Sequence, residues 1–201
     1  MRYYQVCLLK DAGSPGPLRL IEYVNETLIP GLAASTTRYG VFHGLFGLAS
    51  NEIYLVLSSD KPGISIKGQW DDQTFELIES IDLMPTVRPT DHSARHKEGI
   101  YVFRWFEILN KDVAEIAALS EEAWVTFEGG FDTEVQALFA ENDHSETDPN
   151  QRGKMLLITW YRDLATWQDS RKPPAEARDN FLRRHQLTLE ARPVATRLVT
   201  Q

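Results

Sequence analysis

The sequence predicts an α+β protein made of two tandem ferredoxin-like repeats, each with the strand and helix order β-α-β-β-α-β. A strand–helix–strand–strand pattern occurs twice, about a hundred residues apart, which is the spacing of domains rather than of solenoid repeats. In addition, the segment 100–108 is apolar on both faces, and such a strand must be covered on both sides. The predicted boundaries are 1–90 for the first repeat, 91–98 for a linker and 99–201 for the second repeat.

The first repeat contains four apolar segments with strand-like patterns. These predict strands at 3–9, 39–46, 53–57 and 75–84. Between the first two strands, apolar residues at helical spacing predict a helix over 18–32, which Pro30 and Gly31 end or kink. The segment 60–73 is too short for a second helix with its connections. The first repeat therefore matches the ferredoxin-like unit with its second helix reduced or missing.

The second repeat follows the same order more completely. Strands are predicted at 100–108, 134–140, 155–161 and 193–199. An amphipathic helix is predicted over 113–127, with one apolar stripe that ends at Gly129-Gly130. Asp163 is placed to cap a short helix, and Pro173-Pro174 to start a longer one. The polar segment 144–153 predicts a loop.

Composition and charge restrict the partners. The formal net charge of −8 argues against nucleic acid, because phosphate binding relies on clustered Lys and Arg. The single cysteine, Cys7, lies in the first strand and is predicted to be a small buried residue with no disulfide. No secretory pattern and no apolar run of about 18 residues are present, so we expect a cytoplasmic protein without a membrane partner.

Arg104 is the strongest candidate for a binding residue. It lies in an otherwise apolar strand, on the face it shares with Val102 and Phe106. A buried charge must be paired or hydrogen-bonded, because an isolated one costs several kcal/mol, roughly. Arg104 therefore either binds an anionic or carbonyl-bearing ligand or forms an internal ion pair, for example with Glu107.

The histidines are weaker candidates. His43 interrupts an apolar strand and is either a general base or haem ligand, or a core histidine with one backbone partner. His185 follows Arg183-Arg184 and is either a residue of a half-exposed helix face or, as the family resemblance described below implies, an axial haem ligand. His92 and His96 have metal-ligand spacing only on a helix, yet they lie in a Pro-, Asp- and Ser-rich linker. We therefore expect no metal site.

Tryptophan is concentrated in the second repeat, at Trp105, Trp124, Trp160 and Trp167. These side chains are typical either of a pocket for a planar, mostly apolar ligand or of an aromatic core. Phosphate-binding loops, Cys-x-x-Cys pairs and nucleophile elbows are absent from the sequence, which argues against nucleotide use, zinc and hydrolase chemistry. We expect no cofactor.

The second repeat resembles the NIPSNAP family in its segments 99–108, 113–127, 155–161 and 164–171. The resemblance implies the dimeric α/β-barrel superfamily, in which two antiparallel ferredoxin-like sheets pack face to face with helices outside. Two copies in one chain, or a homodimer, would supply the two halves. NIPSNAP proteins share no catalytic motif, so the resemblance assigns no residue. The wider superfamily includes cofactor-independent oxygenases, haem-degrading enzymes, cyclases and ligand-binding proteins.

Three functions remain open on these grounds. The first is a NIPSNAP-like protein that binds a small apolar or aromatic ligand, with Arg104, Trp105, Trp124, Trp160 and His43 as candidate binding residues. The second is a cofactor-independent oxygenase or cyclase acting on an aromatic or polyketide-like substrate. The third is a haem-binding protein. Fold alone does not choose among these functions.

Overall fold

The computed structural model describes residues 2–91, 93–141 and 148–200, and within them the chain has an α+β fold with eight strands and four helices. The strands are Tyr3–Lys10 (β1), Thr36–Phe46 (β2), Glu52–Ser59 (β3), Glu76–Pro85 (β4), Ile100–Leu109 (β5), Thr133–Glu141 (β6), Arg152–Tyr161 (β7) and Thr188–Leu198 (β8). The helices are α1 (Leu18–Tyr23, continued by the π-helical Val24–Leu28 and by Ile29–Gly31), α2 (Val113–Gly130), α3 (Leu164–Asp169) and α4 (Ala175–Gln186).

The chain divides into two compact units. Unit 1 comprises Met1–Met84, His92–Lys97 and Val194–Gln201, and unit 2 comprises Pro85–Asp91 and Glu98–Pro193. The predicted boundaries 1–90, 91–98 and 99–201 give each repeat one continuous segment. In the structure, unit 1 also contains Val194–Gln201 from the predicted second repeat, and unit 2 also contains Pro85–Asp91. The duplication of one ancestral repeat stays a prediction.

Unit 1 is an antiparallel sheet covered by α1. The strand order is β4-β1-β3-β2-β8, with Cys7 opposite Leu55 and Phe42 opposite Leu198. Three side chains of α1 are buried in the core against the sheet, at Leu20, Val24 and Leu28. The predicted stop is confirmed, because α1 ends at Gly31, directly after Pro30, which has no N–H for a helical hydrogen bond.

Two buried polar side chains of unit 1, Gln5 and Asp11, are hydrogen-bonded within the unit. The Gln5 amide donates to Ile64 O (2.8 Å) and to Asp82 Oδ1 (3.0 Å). The fully buried Asp11 carboxylate accepts from Arg19 Nε (2.9 Å) and Nη2 (2.5 Å), and these bonds lower its pKa. Burial raises the pKa of the Cys7 thiol to about 12, so the thiol is protonated at neutral pH, as expected for a core cysteine.

Unit 2 contains the sheet β5-β7-β6, with α2 packed on one face. In this sheet Arg104 lies opposite Leu157, and Val135 lies opposite Thr159. The predicted apolar stripe of α2 is confirmed. Its buried members are Val113, Ile116, Ala117, Ser120, Trp124 and Phe127. Helix α4 contacts α2 through Phe181, whose ring centroid lies 5.4 Å from that of Phe127.

Strand β5 is buried on both faces, as its sequence predicts. Val102, Phe106 and Ile108 are buried on one face, and Tyr101 and Phe103 are buried on the other. Adjacent residues of a strand point to opposite faces, so Arg104 and Trp105 lie on different sides of the sheet. This alternation decides which of the candidate residues can meet.

Other predictions have mixed outcomes. Asp163 caps α3 as expected, since its Oδ1 accepts from Thr166 N at 2.7 Å. The last strand begins at Thr188, whereas the sequence predicted its start at Pro193. The prediction missed residues 188–192 because they are largely exposed and lack the apolar alternation that marks a buried strand. Of the predicted loop 144–153, residues 144–147 lie outside the described residues. Across the part of the chain that is described, none of the helices has the length and apolar character needed to span a membrane.

Candidate functional site

Unit 2 contains a cavity of about 570 Å³, which we call the unit 2 cavity. Strands β5, β6 and β7 and helices α2 and α4 all contribute to its wall. Its apolar wall includes four aromatic rings, those of Phe106, Trp124, Phe127 and Phe181, together with aliphatic side chains such as Leu157. This volume lies within the range of roughly 300–1,000 Å³ that is usual for small-molecule sites. An aromatic wall of this kind favours a planar ligand.

The polar wall of the cavity is basic. Thr159 and Tyr161 of β7 lie beside Arg104 of β5 and Arg184 of α4. Exposed basic side chains, Arg171, Arg178 and His185, also line the cavity, which therefore opens to solvent on that side. Among the described lining residues no Asp or Glu is present.

Arg184 is buried, with only 6% of its surface exposed. Its Nη1 donates to Ser120 Oγ at 3.1 Å, and its guanidinium carbon lies 4.8 Å from the ring centroid of Phe181 and 5.4 Å from that of Phe106. Burial, and next the positive charge of Arg104, lower the pKa of Arg184 to about 9. The cation is thus held by a neutral hydroxyl and two aromatic faces.

Arg104 is half-buried, and burial lowers the pKa of its guanidinium, with the charge of Arg171 acting in the same direction. The Tyr161 phenol acts in the opposite direction on the pKa values of both Arg104 and Arg184. The ion pair with Glu107 that the sequence suggested is wrong, since Glu107 pairs instead with Arg152 at 3.3 Å. Within the described residues Arg104 has no carboxylate partner.

Trp124 is the candidate tryptophan that lines the unit 2 cavity. The Arg88 guanidinium lies 4.9 Å from its ring centroid and is itself held by Glu128 Oε1 (2.6 Å) and Oε2 (3.1 Å). Arg88 also donates to Val135 O at 3.0 Å, which ties the support of Trp124 to strand β6. The indole is therefore supported by Arg88, which is not among the residues that line the cavity.

The other candidates lie elsewhere. Trp105 follows Arg104 on β5 and so occupies the opposite face. Trp160 lies opposite Tyr101 in the β5/β7 register, also away from Arg104, and its Nε1 donates to Glu98 O at 2.8 Å. His43 lies in unit 1 on β2, opposite Ile53 and Arg197. The structure thus brings together Arg104 and Trp124, and it does not place Trp105, Trp160 or His43 in the cavity wall.

Sequence reasoning missed several cavity residues, of which Arg184 matters most. The signal was present: Ala177, Phe181 and Arg184 recur at helical spacing, and all three lie on the inward face of α4. Leu182, the next residue of α4, is 57% exposed. Tyr161 and Thr159 could have been found from the strand period, since they alternate with Trp160 and share the face of Leu157.

Metal-ligating side chains are not grouped in the described parts of the chain, where no three His, Cys, Asp or Glu residues come together. Of the two linker histidines, His96 is exposed and His92 lies outside the described residues.

Similarity to known proteins is found at the level of fold. No protein-family model and no curated protein sequence matches the chain. The fold is similar to that of a candidate monooxygenase from Lactobacillus acidophilus NCFM (TM-score 0.64, 12% identity, 100% of this chain and 96% of that chain). It is also similar to an anthrone oxidase-like protein (0.67, 11%, 98% and 91%) and to a candidate chlorite dismutase (0.62, 13%, 98% and 94%).

These similarities show that the chain shares its fold with candidate monooxygenases, an anthrone oxidase-like protein and a candidate chlorite dismutase. At this level of identity they show the fold alone. Membership of the NIPSNAP family stays a prediction, because no family model matches.

Proposed function

We propose that unit 2 is a cofactor-independent oxygenase site, in which a small aromatic substrate is oxidised by O₂ inside the cavity. The observation that carries the proposal is that aromatic rings, the buried Arg184 and the half-buried Arg104 line one cavity of about 570 Å³. The similarity of fold to an anthrone oxidase-like protein and to candidate monooxygenases supports it. The oxygenase alternative is thereby favoured over a purely ligand-binding NIPSNAP-like protein.

The chemistry requires a substrate with an acidic C–H group beside an aromatic ketone or phenol, as in anthrones. Loss of that proton gives an enolate, whose oxygen carries the negative charge. Guanidinium groups such as those of Arg104 and Arg184 stabilise such a charge strongly where water is excluded. The arginines would therefore lower the barrier to deprotonation.

The oxidation then balances with O₂ as the oxidant. The carbanion transfers electrons to O₂ and a C–O bond forms, giving a hydroperoxide after protonation of the distal oxygen. Loss of the second C–H proton with cleavage of the O–O bond leaves a ketone and releases hydroxide, which is protonated to water. The net change is CH₂ + O₂ → C=O + H₂O, with two electron pairs moved from carbon to oxygen.

His185 is our candidate for the group that takes the first proton. It lines the cavity and is exposed, so a neutral imidazole there can accept a proton and pass it to water. His43, the general-base candidate from the sequence, lies in unit 1 and serves as a matched control.

The test is oxygen uptake and quinone formation with anthrone and its hydroxylated derivatives. We expect turnover by the wild-type protein, a loss of at least tenfold in kcat for His185→Gln, and unchanged turnover for His43→Gln. Circular dichroism melts check that both variants fold. Absence of oxygen uptake above the uncatalysed rate would refute the oxygenase, and binding without uptake would favour the NIPSNAP-like ligand-binding function.

Haem binding is a second candidate, favoured by the position of His185 at the cavity. The donor set suits the group: His185 would bind the iron, and the exposed Arg171 and Arg178 would hold the propionates. Haem would supply iron redox chemistry when bound. Titration with haemin distinguishes this candidate, because a Soret shift that His185→Gln removes would support it and an unchanged spectrum would eliminate it.

A further inference from the structure

We infer that Arg104 and Arg184 form a binding site for an anionic group, and that the ligand of the unit 2 cavity is a small aromatic acid. The inference deepens the proposed function by naming the class of ligand. It rests on the proposed function only in taking the unit 2 cavity as the functional site. It is argued from charge, burial and the chemistry of the guanidinium group.

The distribution of charge is the first argument. The chain has 29 acidic and 21 basic residues, excluding histidine, so an average surface would be acidic. The described cavity lining reverses this ratio, with four arginines and one histidine and no carboxylate. A local reversal of charge inside a concave site attracts anions, because the low-dielectric walls concentrate the field.

The two cations, the buried Arg184 and the half-buried Arg104, also lack a described counter-charge. Arg184 is 6% exposed and has a neutral hydroxyl, that of Ser120, as its hydrogen-bond partner among the described residues. Arg104, close enough to affect it electrostatically, has no described carboxylate partner either. Burying like charges together is costly unless an opposite charge is supplied. A bound anion would supply it.

The chemistry of the occupant follows from the walls. A guanidinium group is planar and donates two parallel hydrogen bonds to a carboxylate, and two guanidinium groups can hold both of its oxygens. The same wall includes the rings of Phe106, Trp124 and Phe181. The site therefore fits a planar aromatic body that carries one carboxylate better than it fits a free inorganic anion.

A matched ligand pair tests the inference with the full-length protein. Isothermal titration calorimetry compares 2-naphthoate with 2-naphthamide, which have the same ring and nearly the same shape but differ in charge. We expect naphthoate to bind at least about tenfold more tightly, since hydrogen bonds to a charged group are the stronger ones. Neither compound has an oxidisable C–H group, so binding is measured apart from turnover.

A matched pair of variants assigns the effect to the site. Arg184→Gln should abolish the preference for naphthoate. Arg183→Gln should keep it, because Arg183 lies beside it on α4 but pairs with Glu115 at the surface (2.6 Å). Arg104→Gln should also abolish the preference, and it carries the test if Arg184→Gln fails to fold. Circular dichroism melts establish folding.

The contrary outcomes are distinct. Equal affinity for naphthoate and naphthamide, or a preference that survives in both cavity variants, would refute the anion site. Competition by inorganic phosphate at the same concentration as naphthoate would refute the aromatic acid as occupant. Oxidation of anthrone without any naphthoate preference would refute the inference alone, whereas naphthoate preference without oxygen uptake would refute the proposed oxygenase alone.

Discussion

The two units differ in how each holds a buried charge, the Asp11 carboxylate in unit 1 and the Arg184 guanidinium in unit 2. In unit 1, the buried Gln5 and Asp11 each have protein partners, with the amide held by Ile64 O and Asp82 and the carboxylate by Arg19. In unit 2, Arg184 is buried against a hydroxyl and two rings, with no described counter-charge. Both units cover an antiparallel sheet with helices. The same construction therefore serves stability in one unit, while the other retains an arrangement that costs stability and suits binding.

The largest expected effect compares equivalent leucines in the two interiors. Leu55→Ala in unit 1 should destabilise by about 3 kcal/mol, because it opens a new void among fully buried neighbours. Leu157→Ala in unit 2 should cost about 1–2 kcal/mol, since Leu157 already borders the cavity. Urea unfolding monitored by circular dichroism measures both. Equal losses would show that the unit 2 interior is filled in solution.

The next effect is the change in the free energy of unfolding when a buried polar side chain is replaced by methionine, and it has opposite signs in the two units. Gln5→Met should destabilise by about 1–2 kcal/mol, because it removes two hydrogen bonds and leaves a carbonyl of the core without its donor. Arg184→Met should instead stabilise by about 1 kcal/mol, because an unpaired buried charge is replaced by an apolar chain of similar length. Chemical unfolding without ligand measures both, and a large loss for Arg184→Met would contradict the comparison.

The smallest effect is a difference in pH dependence. Hydrogen bonds from Arg19 hold the pKa of Asp11 below its usual value in the folded state. The stabilisation of the folded state by this ion pair is therefore present above about pH 4, and it is lost as pH falls through the pKa that Asp11 has in the folded protein. The cation of Arg184, with its pKa lowered to about 9, costs stability below pH 9, and that cost diminishes as pH rises through 9.

Thermal melts across pH therefore separate the two units. Asp11→Asn should be less stable than the wild type at neutral pH and should lose less stability on acidification between pH 5 and 3. Arg184→Met should lack the gain in stability that the wild type shows as pH rises above about 9. Parallel curves for the variants and the wild type would contradict the assignment of these groups.

Much of the fold could be predicted because apolar residues recur at regular strand or helix spacing in both units. Strand β5 and helix α2 match their predicted ranges closely, since both are buried along one or both faces. The beginning of β8 could not be predicted, because exposed strand residues carry no alternation. Arg104 was found as a charge in an apolar strand, which is a conspicuous pattern.

The rest of the site was harder to find. Arg184 stands between Arg183 and His185, and such a basic run is usually a solvated helix face. Arg184 differs from its neighbours only in its position on the helix, because it lies on the same face as Ala177 and Phe181. Trp105 and Trp160 were grouped with Arg104 by residue type, although strand alternation already places Trp105 on the other face. Aromatic identity does not distinguish a cavity wall from a filled core.

The single thiol of this chain offers a reporter of slow motion. Cys7 lies in the apolar core of unit 1. Its protonated sulfur resists alkylation while the core stays closed. The rate at which an added maleimide reacts therefore follows how often unit 1 opens. Because no second cysteine exists, the signal needs no mutagenesis and no deconvolution.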